Sequence, residues 1–247
     1  SYRHAFRVPS QSQLFRQGKA TNTVDLDPVK VDSYEIGLRS QITKHTNLEL
    51  SLYHMVKIDD ILSFKDTTGE TETLNAGETQ HSGVELALDL AICKQLTFHT
   101  AYSYSEHIYE NWNPNSSTDY SGNEMKSAPN VTATSWLIYN PSFLNGGSIE
   151  FEWKQLGKYW MDAANTKKYK GHNLYHIRGH LPINSALSFH AKIVNIPNER
   201  YTPLASFIAP AVRNPGNTAC APDLPRPLLS RVDFSSYVTM SSPKPLY

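Results

Sequence analysis

From Val84 to Leu90 the chain reads Val-Glu-Leu-Ala-Leu-Asp-Leu, an unbroken alternation that follows the polar run 75–83, NAGETQHSG. Successive side chains of an extended strand point to opposite faces. Val84, Leu86, Leu88 and Leu90 therefore share one face, and Glu85, Ala87 and Asp89 share the other. A chain built from such segments needs somewhere to put a continuous oily surface: against a protein core, or against lipid.

The same period recurs along the sequence. Tyr34, Ile36 and Leu38 oppose Glu35, Gly37 and Arg39. After a polar turn at Thr43-Lys44-His45-Thr46, Leu48, Leu50 and Leu52 oppose Glu49, Ser51 and Tyr53, and the run is expected to continue through Val56 and Ile58 to about Phe64. A polar segment from Lys65 to about Gln80 precedes the Val84 strand. A tight turn near Cys93-Lys94-Gln95 leads to Leu96, Phe98, Thr100, Tyr102 and Tyr104, opposed by Thr97, His99, Ala101 and Ser103. Residues 110–129 read as a long Asn- and Ser-rich loop. Further strands are expected at Val131 to Tyr139 and Ser148 to Tyr159, joined around Pro141 to Gly146, and at Leu174 to Leu181 and Leu187 to Val194, joined at Asn184-Ser185-Ala186.

Short and long connections thus alternate, which puts the short turns at one end of the strands and the long loops at the other. An outer-membrane barrel is built this way, and strands of about 10 residues match the tilted crossing of a hydrocarbon core. A soluble sandwich has no reason for the asymmetry. The polar face carries Glu35, Arg39, Glu49, Glu85, Asp89, Glu150, Glu152, Lys154 and Lys192, which suits a wet lumen.

Composition agrees with this reading. Mean hydropathy is −0.46, and no apolar run of 18 residues is present to form a membrane helix. Barrel strands dilute hydropathy by design, because only every second residue meets lipid. The 14 Tyr, 9 Phe and 4 Trp gather near the ends of the alternating runs. With 23 basic and 23 acidic residues the net charge is zero, and no basic cluster suggests nucleic acid. Ser1-Tyr2-Arg3-His4 reads as mid-strand, as expected of a processed chain or a piece of a longer one.

Three ordered motifs carry a resemblance. Phe6-Arg7-Val8-Pro9-Ser10, followed by Asp25-Leu26-Asp27-Pro28-Val29-Lys30 and Ser33-Tyr34-Glu35-Ile36-Gly37-Leu38-Arg39, resembles the "FRAPS … NPDLKPEKSDSYELGLR" passage of TonB-dependent outer-membrane receptors. Asn75-Ala76-Gly77 with His81-Ser82-Gly83-Val84-Glu85-Leu86 is similar to that family's "NAG…RGVELE". Val194-Asn195-Ile196-Pro197-Asn198-Glu199-Arg200-Tyr201 is similar to its "VENLFDKRY". The matches cover residues 1 to about 203.

The resemblance implies an all-β, antiparallel transmembrane β-barrel of roughly 22 strands closed around a plug. This chain would be its C-terminal part, about ten strands, with the plug domain absent. It also implies uptake of ferric siderophores or similar metal chelates, energised through TonB. The implied partners are the chelate, outer-membrane lipid and lipopolysaccharide, and the TonB complex through the missing N-terminal region. The implied place is the outer membrane of a Gram-negative bacterium. An incomplete barrel leaves two strand edges without partners, so the chain alone is not expected to transport.

Residues 203–247 depart from the pattern. Leu224-Pro225-Arg226 matches the "LPRT" before a closing strand, but no aromatic-terminated alternation follows, and Pro243 and Pro245 cannot donate to a ladder. A frame shift or divergent tail near Arg226 is the expectation. Cys93 falls in a short turn and Cys220 in the last external loop, so the two should lie a membrane apart and unpaired.

Candidate ligand contacts are the loop aromatics Tyr109, Trp112, Tyr120, Trp160 and Tyr169. Their rings either stack on a planar chelate or, with Tyr159, belong to an interfacial girdle. Lys167, Lys168 and Lys170 either attract an anionic ligand or lipopolysaccharide phosphate or form a solvated loop. His172, His176 and His180 are spaced by four, roughly 13 Å per step on a strand, so one ion cannot bridge them. No metal centre and no cofactor are expected. No GxSxG, HExxH or phosphate loop appears, so an enzyme is not expected. The alternatives are a porin- or adhesin-like barrel without a plug and a soluble carbohydrate-binding β-sandwich.

Overall fold

A computed structural model describes residues 1–15, 25–65, 71–75, 77–115, 117–184 and 187–202. Thirteen strands are present among them: β1 (Tyr2–Arg7), β2 (Val29–Thr43), β3 (Thr46–Ile58), β4 (Ile61–Lys65), β5 (Thr71–Asn75), β6 (Glu78–Cys93), β7 (Leu96–Asn111), β8 (Val131–Tyr139), β9 (Ser148–Leu156), β10 (Tyr159–Trp160), β11 (Lys168–Tyr169), β12 (His172–Pro182) and β13 (Ser188–Ile193). Nine of them form one antiparallel sheet in the order β1-β2-β3-β6-β7-β8-β9-β12-β13. The expected count of about ten becomes nine in this sheet, with β1 and β13 as its edges. Cys220, Arg226 and the tail expected to diverge lie outside the described residues.

Register aligns the two chemistries across the sheet. One row runs Arg39, Glu49, Ala87, Ala101, Thr134, Lys154 and Leu174 from β2 to β12. The row beside it runs Leu38, Leu50, Leu86, Tyr102 and Ala133, and a lower row on the same face runs Leu90, Phe98, Leu137, Phe151, Ile177 and Ile193. No protein layer covers this aliphatic face among the described residues: Ile36 is 69% exposed and Leu38 55%. An exposed apolar band spanning many strands marks a surface that meets lipid or a partner. The buried apolar cluster, Tyr109, Trp112 and Ala163, lies among the loops instead. No described helix is long and apolar enough to cross a membrane, which leaves strands untouched as a means of crossing.

The two-residue turns Lys44-His45 and Lys94-Gln95 come with a register shift each, between Gln41 and Thr43 and between Ala91 and Cys93. Alternation requires these shifts. Outward residues carry even numbers on both strands of each hairpin, and a two-residue turn without a bulge would set them against inward ones. Cys93 is exposed at the second of these bulges.

At the opposite end, three expected boundaries move. The run expected from Leu48 to about Phe64 breaks at Asp59, whose φ is +59°. Asp60 then accepts the Ile61 N–H on its own carboxylate at 3.0 Å, so the chain leaves the main sheet as the separate β4–β5 hairpin. Asp tolerates the left-handed region better than the β-branched residues around it. The expected polar segment 65–80 accordingly contains β5 and the start of β6. The strand expected from Ser148 to Tyr159 ends at Leu156, and Tyr159–Trp160 pairs with Lys168–Tyr169 in a second small hairpin.

β6 and β7 have 16 residues each, about 50 Å at ~3.3 Å per residue. A hydrocarbon crossing needs only about 9–11 residues. The surplus projects at the long-loop end, where the outward residues change from Val84 and Tyr104 to Ser82, Gln80 and Glu106. Tyr104 marks the change by donating its hydroxyl to Glu106 at 2.8 Å.

Candidate functional site

Two surfaces are built for contact with a solute: the polar face of the sheet and the cap formed by the long loops. The polar face carries separate groups of ion pairs on β2–β3, β6–β7 and β9–β12. The Arg39 Nε donates to Glu49 at 2.8 Å, His99 and Asp89 pair at 2.6 Å, and Ser51 donates to Glu35 at 3.2 Å. Arg178 on β12 bridges Glu150 and Glu152 of β9, and Lys154 reaches Glu152 at 3.0 Å. The β2–β3 group borders a trough of about 560 Å³ whose lining includes Glu35, Arg39, Glu49, Glu85 and Ser103. Such a wall suits water, a polar solute or a polar protein surface, and disfavours lipid.

The motif residues explain themselves at the junction of sheet and cap. The Asn75 side-chain amide donates to the carbonyls of Asp59 at 2.7 Å and Asp27 at 3.0 Å, and its oxygen accepts the Asp27 N–H at 2.8 Å. One side chain thus ties the entry to β2, the break after β3 and the entry to β6. Gly77, at φ +72°, passes so close to β7 that a Cβ would lie 1.7 Å from the Asn111 carbonyl oxygen. Gly83 gives space of another kind, because a Cβ there would meet the Tyr53 hydroxyl at 2.6 Å. In the third motif, Asn195 closes a turn on itself: its oxygen accepts the Glu199 N–H and its amide donates to the Glu199 carbonyl, both at 2.9 Å.

The cap is a packed unit. Tyr109 and Trp112 are each 1% exposed, with ring centroids 4.4 Å apart, and Trp112 meets Tyr120 at 4.9 Å. Leu62 and Leu74 from the β4–β5 hairpin, Met125 and Ala163 complete the cluster. Polar bonds fasten loop to loop: Asn123 donates to the Ala163 carbonyl at 2.9 Å, Asn165 donates to the Glu124 carbonyl at 2.8 Å, and Glu124 N–H donates to the Asn165 oxygen at 2.9 Å. The Ser121 hydroxyl and N–H donate to Asp119 and hold its carboxyl below the usual range.

The five sequence-named aromatics separate into two groups. Tyr109 and Trp112 offer no free ring face, and Tyr109 sits on the polar side of β7, which removes it from any lipid-facing girdle. Tyr120, Trp160 and Tyr169 are partly exposed. Lys168 lies 3.9 Å over the Trp160 ring, and Tyr169 shares a 2.8 Å hydrogen bond with His172. Among the described residues, the indole N–H groups of Trp112 and Trp160 are buried without an acceptor. Each is a donor that a bound molecule or water can satisfy. The three spaced histidines go separate ways on one face of β12: His172 packs on Tyr201 at 4.7 Å, His176 accepts the Asn195 N–H at 2.9 Å, and His180 stacks on His190 at 4.6 Å.

Sequence reasoning missed the polar cluster beneath the cap, where His81 and His107 approach to 2.7 Å. The signal available was the bulge at Ala91–Cys93, which sets these two residues opposite one another.

Residues 1–196 match the family described as TonB dependent receptor-like, beta-barrel. The probable TonB-dependent siderophore receptor PiuA of Acinetobacter baumannii is 26% identical over 190 residues, 73% of this chain and 24% of that protein. Among solved structures, the copper transporter OprC superposes with a TM-score of 0.66 at 20% identity, over 81% of this chain and 31% of that one. The siderophore receptor PiuA from Acinetobacter baumannii gives 0.58 at 23% identity, over 71% and 25%. The ferric-catecholate import receptor Fiu from K12 E. coli gives 0.59 at 16%, over 81% and 28%. At these identities the superpositions speak for the fold. The chain spans between a quarter and a third of the length of these proteins.

Proposed function

Because the chain belongs to the TonB-dependent receptor β-barrel family, we propose that it forms nine strands of a Gram-negative outer-membrane receptor that takes up ferric siderophores or similar metal chelates. Transport is energised through TonB by a region outside this chain. The observation that carries the reading is the division of labour in the sheet. A bare aliphatic face and an ionic face alternate residue by residue, and among the described residues a fastened loop cap stands at one end only. The ionic face lines the path of the chelate and receives the plug. The aliphatic face meets the lipid chains, and Lys167, Lys168 and Lys170 lie at the level of lipopolysaccharide phosphates.

The cap divides its aromatics between two duties. Tyr109 and Trp112 fix the shape of the loops from beneath, while Tyr120, Trp160 and Tyr169 contact the chelate, with Lys168 offsetting negative charge on it. Growth of a receptor-deficient strain on a panel of ferric chelates, with the complete gene restored, tests the proposal. Growth on at least one chelate, abolished when TonB is inactivated, is expected. In the same strain, Trp160→Ala and Tyr120→Ala should weaken uptake at low chelate concentration by about tenfold, the loss of one ring contact. A restored gene that extends growth on no chelate would overturn the proposal.

A further inference from the structure

The cluster beneath the cap joins two imidazoles to the segment that holds the cap down. His81 of β6 and His107 of β7 are register partners on the ionic face, in the stretch that projects beyond the aliphatic band. Their Nδ1 atoms lie 2.7 Å apart, with the rings at 62°. His81 is 6% exposed and His107 is half-buried.

The surrounding hydrogen bonds assign the protons. The Thr79 hydroxyl donates to Asp60 Oδ2 at 3.0 Å, so its oxygen accepts from His81 Nε2–H at 3.2 Å. His81 Nδ1 is then the acceptor, and His107 Nδ1–H the donor, of the bond between the rings. His107 Nε2 accepts from the Ser105 hydroxyl at 3.1 Å. One proton on each imidazole thus uses all four ring nitrogens. A further proton enters only at His107 Nε2, which turns the Ser105 hydroxyl away, or at His81 Nδ1, which sets two N–H groups against each other. With both rings charged, the bond between them is lost.

The cap is fastened at the same place. Beyond the last pairing of β7 with β8, Tyr104 to Val131, residues 122–125 take the place of a neighbouring strand. The Met125 N–H donates to the His107 carbonyl at 2.7 Å, the Tyr109 N–H to the Asn123 carbonyl at 2.9 Å, and the Gly122 N–H to the Tyr109 carbonyl at 2.6 Å. Asp60, behind His81, leads into the β4–β5 hairpin, whose Leu62 and Leu74 pack within the cap.

We propose that the His81–His107 pair is an acid-sensitive latch. It holds the cap to the sheet while both rings are neutral, and residues 122–125 part from β7 when the pair takes up protons from the medium. Burial first, then the charges of Lys57 and His107, push His81 down to about 3, and burial and Lys57 push His107 down as well. A solvated histidine titrates at about 6.5. Both shifts are downward, so closure is fully favoured above about pH 6.5 and weakens as pH falls from there towards about 3. The ratio of open to closed cap rises up to about tenfold per pH unit for each ring that charges only when the cap is open. Lys57, opposite Thr79 on β3, opposes a proton on either ring. The Asp60 carboxylate favours one but is shared with Arg7 of β1, 3.7 Å away. Glu124 and Lys126 flank Met125 with opposite charges, and Tyr109, pushed up to about 12 mainly by burial, stays neutral. The latch goes beyond uptake and holds whichever chelate is carried, so its failure leaves the receptor reading standing.

The test is the distance between two spin labels on the complete gene product in bilayers, read by pulsed electron paramagnetic resonance. One label sits on Cys93, exposed in the turn of the β6–β7 hairpin, and the other on Ser117→Cys in the cap, with Cys220 and any further cysteine replaced. A single distance is expected at about pH 7.5, with a second, displaced population growing below about pH 6.5. His81→Asn combined with His107→Asn keeps a neutral amide pair and should remove the response. Lys57→Met should shift it to lower pH, because a proton then enters the closed form more easily. His180→Asn, in the other histidine pair, should leave it unchanged. Heat-modifiable migration in gels verifies at each pH that the sheet is folded. Where the double variant does not fold, the wild type and Lys57→Met decide. An unchanged distance in the folded wild type down to about pH 4.5, an acid response kept by the folded double variant, or one unmoved by Lys57→Met would overturn the proposal. Loss of the folded sheet before the cap moves would overturn it too.

Discussion

Gly77→Ala is expected to abolish stable assembly of the sheet, at a cost on the order of 3 kcal/mol or more. Two effects add. Alanine at φ +72° pays about 1–2 kcal/mol for the left-handed region, and its Cβ would lie 1.7 Å from the Asn111 carbonyl oxygen and 2.8 Å from its carbon. Both obstructing atoms are backbone of the neighbouring strand, so relief requires moving β7 away from β6 or moving the tie that Asn75 makes to Asp27 and Asp59. Gly77→Asn separates the two effects. Asparagine accepts positive φ more readily, yet meets the same carbonyl, so it should fare little better. Gly37→Ala is the control: the nearest atom to its Cβ, the Leu50 carbonyl oxygen, is 3.6 Å away, and the strand should tolerate it. Urea midpoints and heat-modifiable gel migration report the difference. Equal stability of Gly77→Ala and Gly37→Ala would mean that β6 enters the sheet by another path.

Arg178→Met is expected to cost about 3 kcal/mol. Its guanidinium bridges two carboxylates on β9, and one of them, Glu152, is 1% exposed. Removing the cation leaves two like charges on the same face, with Lys154 at 3.0 Å the remaining cation paired with Glu152 among the described residues. Stranding a buried partner typically costs about 3–5 kcal/mol, and the lower end applies because the Arg178 side chain is 35% exposed to a wet face. Glu152→Gln in the Arg178→Met background should recover at least about 1 kcal/mol, since neighbours in one network are not additive. A double variant no more stable than Arg178→Met alone would show that the three residues are not coupled.

Strand positions and faces were legible because one physical rule, period two, acts at every residue. The same rule contains the register of both tight hairpins. Leu90 and Phe98 can face the same way across a two-residue turn only if one strand bulges, and the structure places that bulge between Ala91 and Cys93. The breaks after β3 and β9 were illegible because apolar residues continue past them. Leu62 and Phe64 keep the even-numbered pattern of β3, although Asp59 and Asp60 have already turned the chain. The loop aromatics were found but not their division, since Tyr109 and Trp112 are buried by Leu62, Leu74 and Ala163, which are remote in sequence. The His81–His107 pair lies 26 residues apart. Only the bulged register brings it together.

A spin label stepped through residues 84 to 90 of β6, one cysteine variant at a time with Cys93 and Cys220 replaced, tests most directly whether the aliphatic face meets lipid and the ionic face meets water. In bilayers, labels at 84, 86, 88 and 90 should relax with oxygen, which concentrates in the acyl chains. Labels at 85, 87 and 89 should relax with a water-soluble nickel chelate, giving a two-residue oscillation of opposite phase for the two reagents. Oscillations in phase, or labels at 86 and 88 shielded from both reagents by a second protein layer, would contradict a membrane-spanning wall.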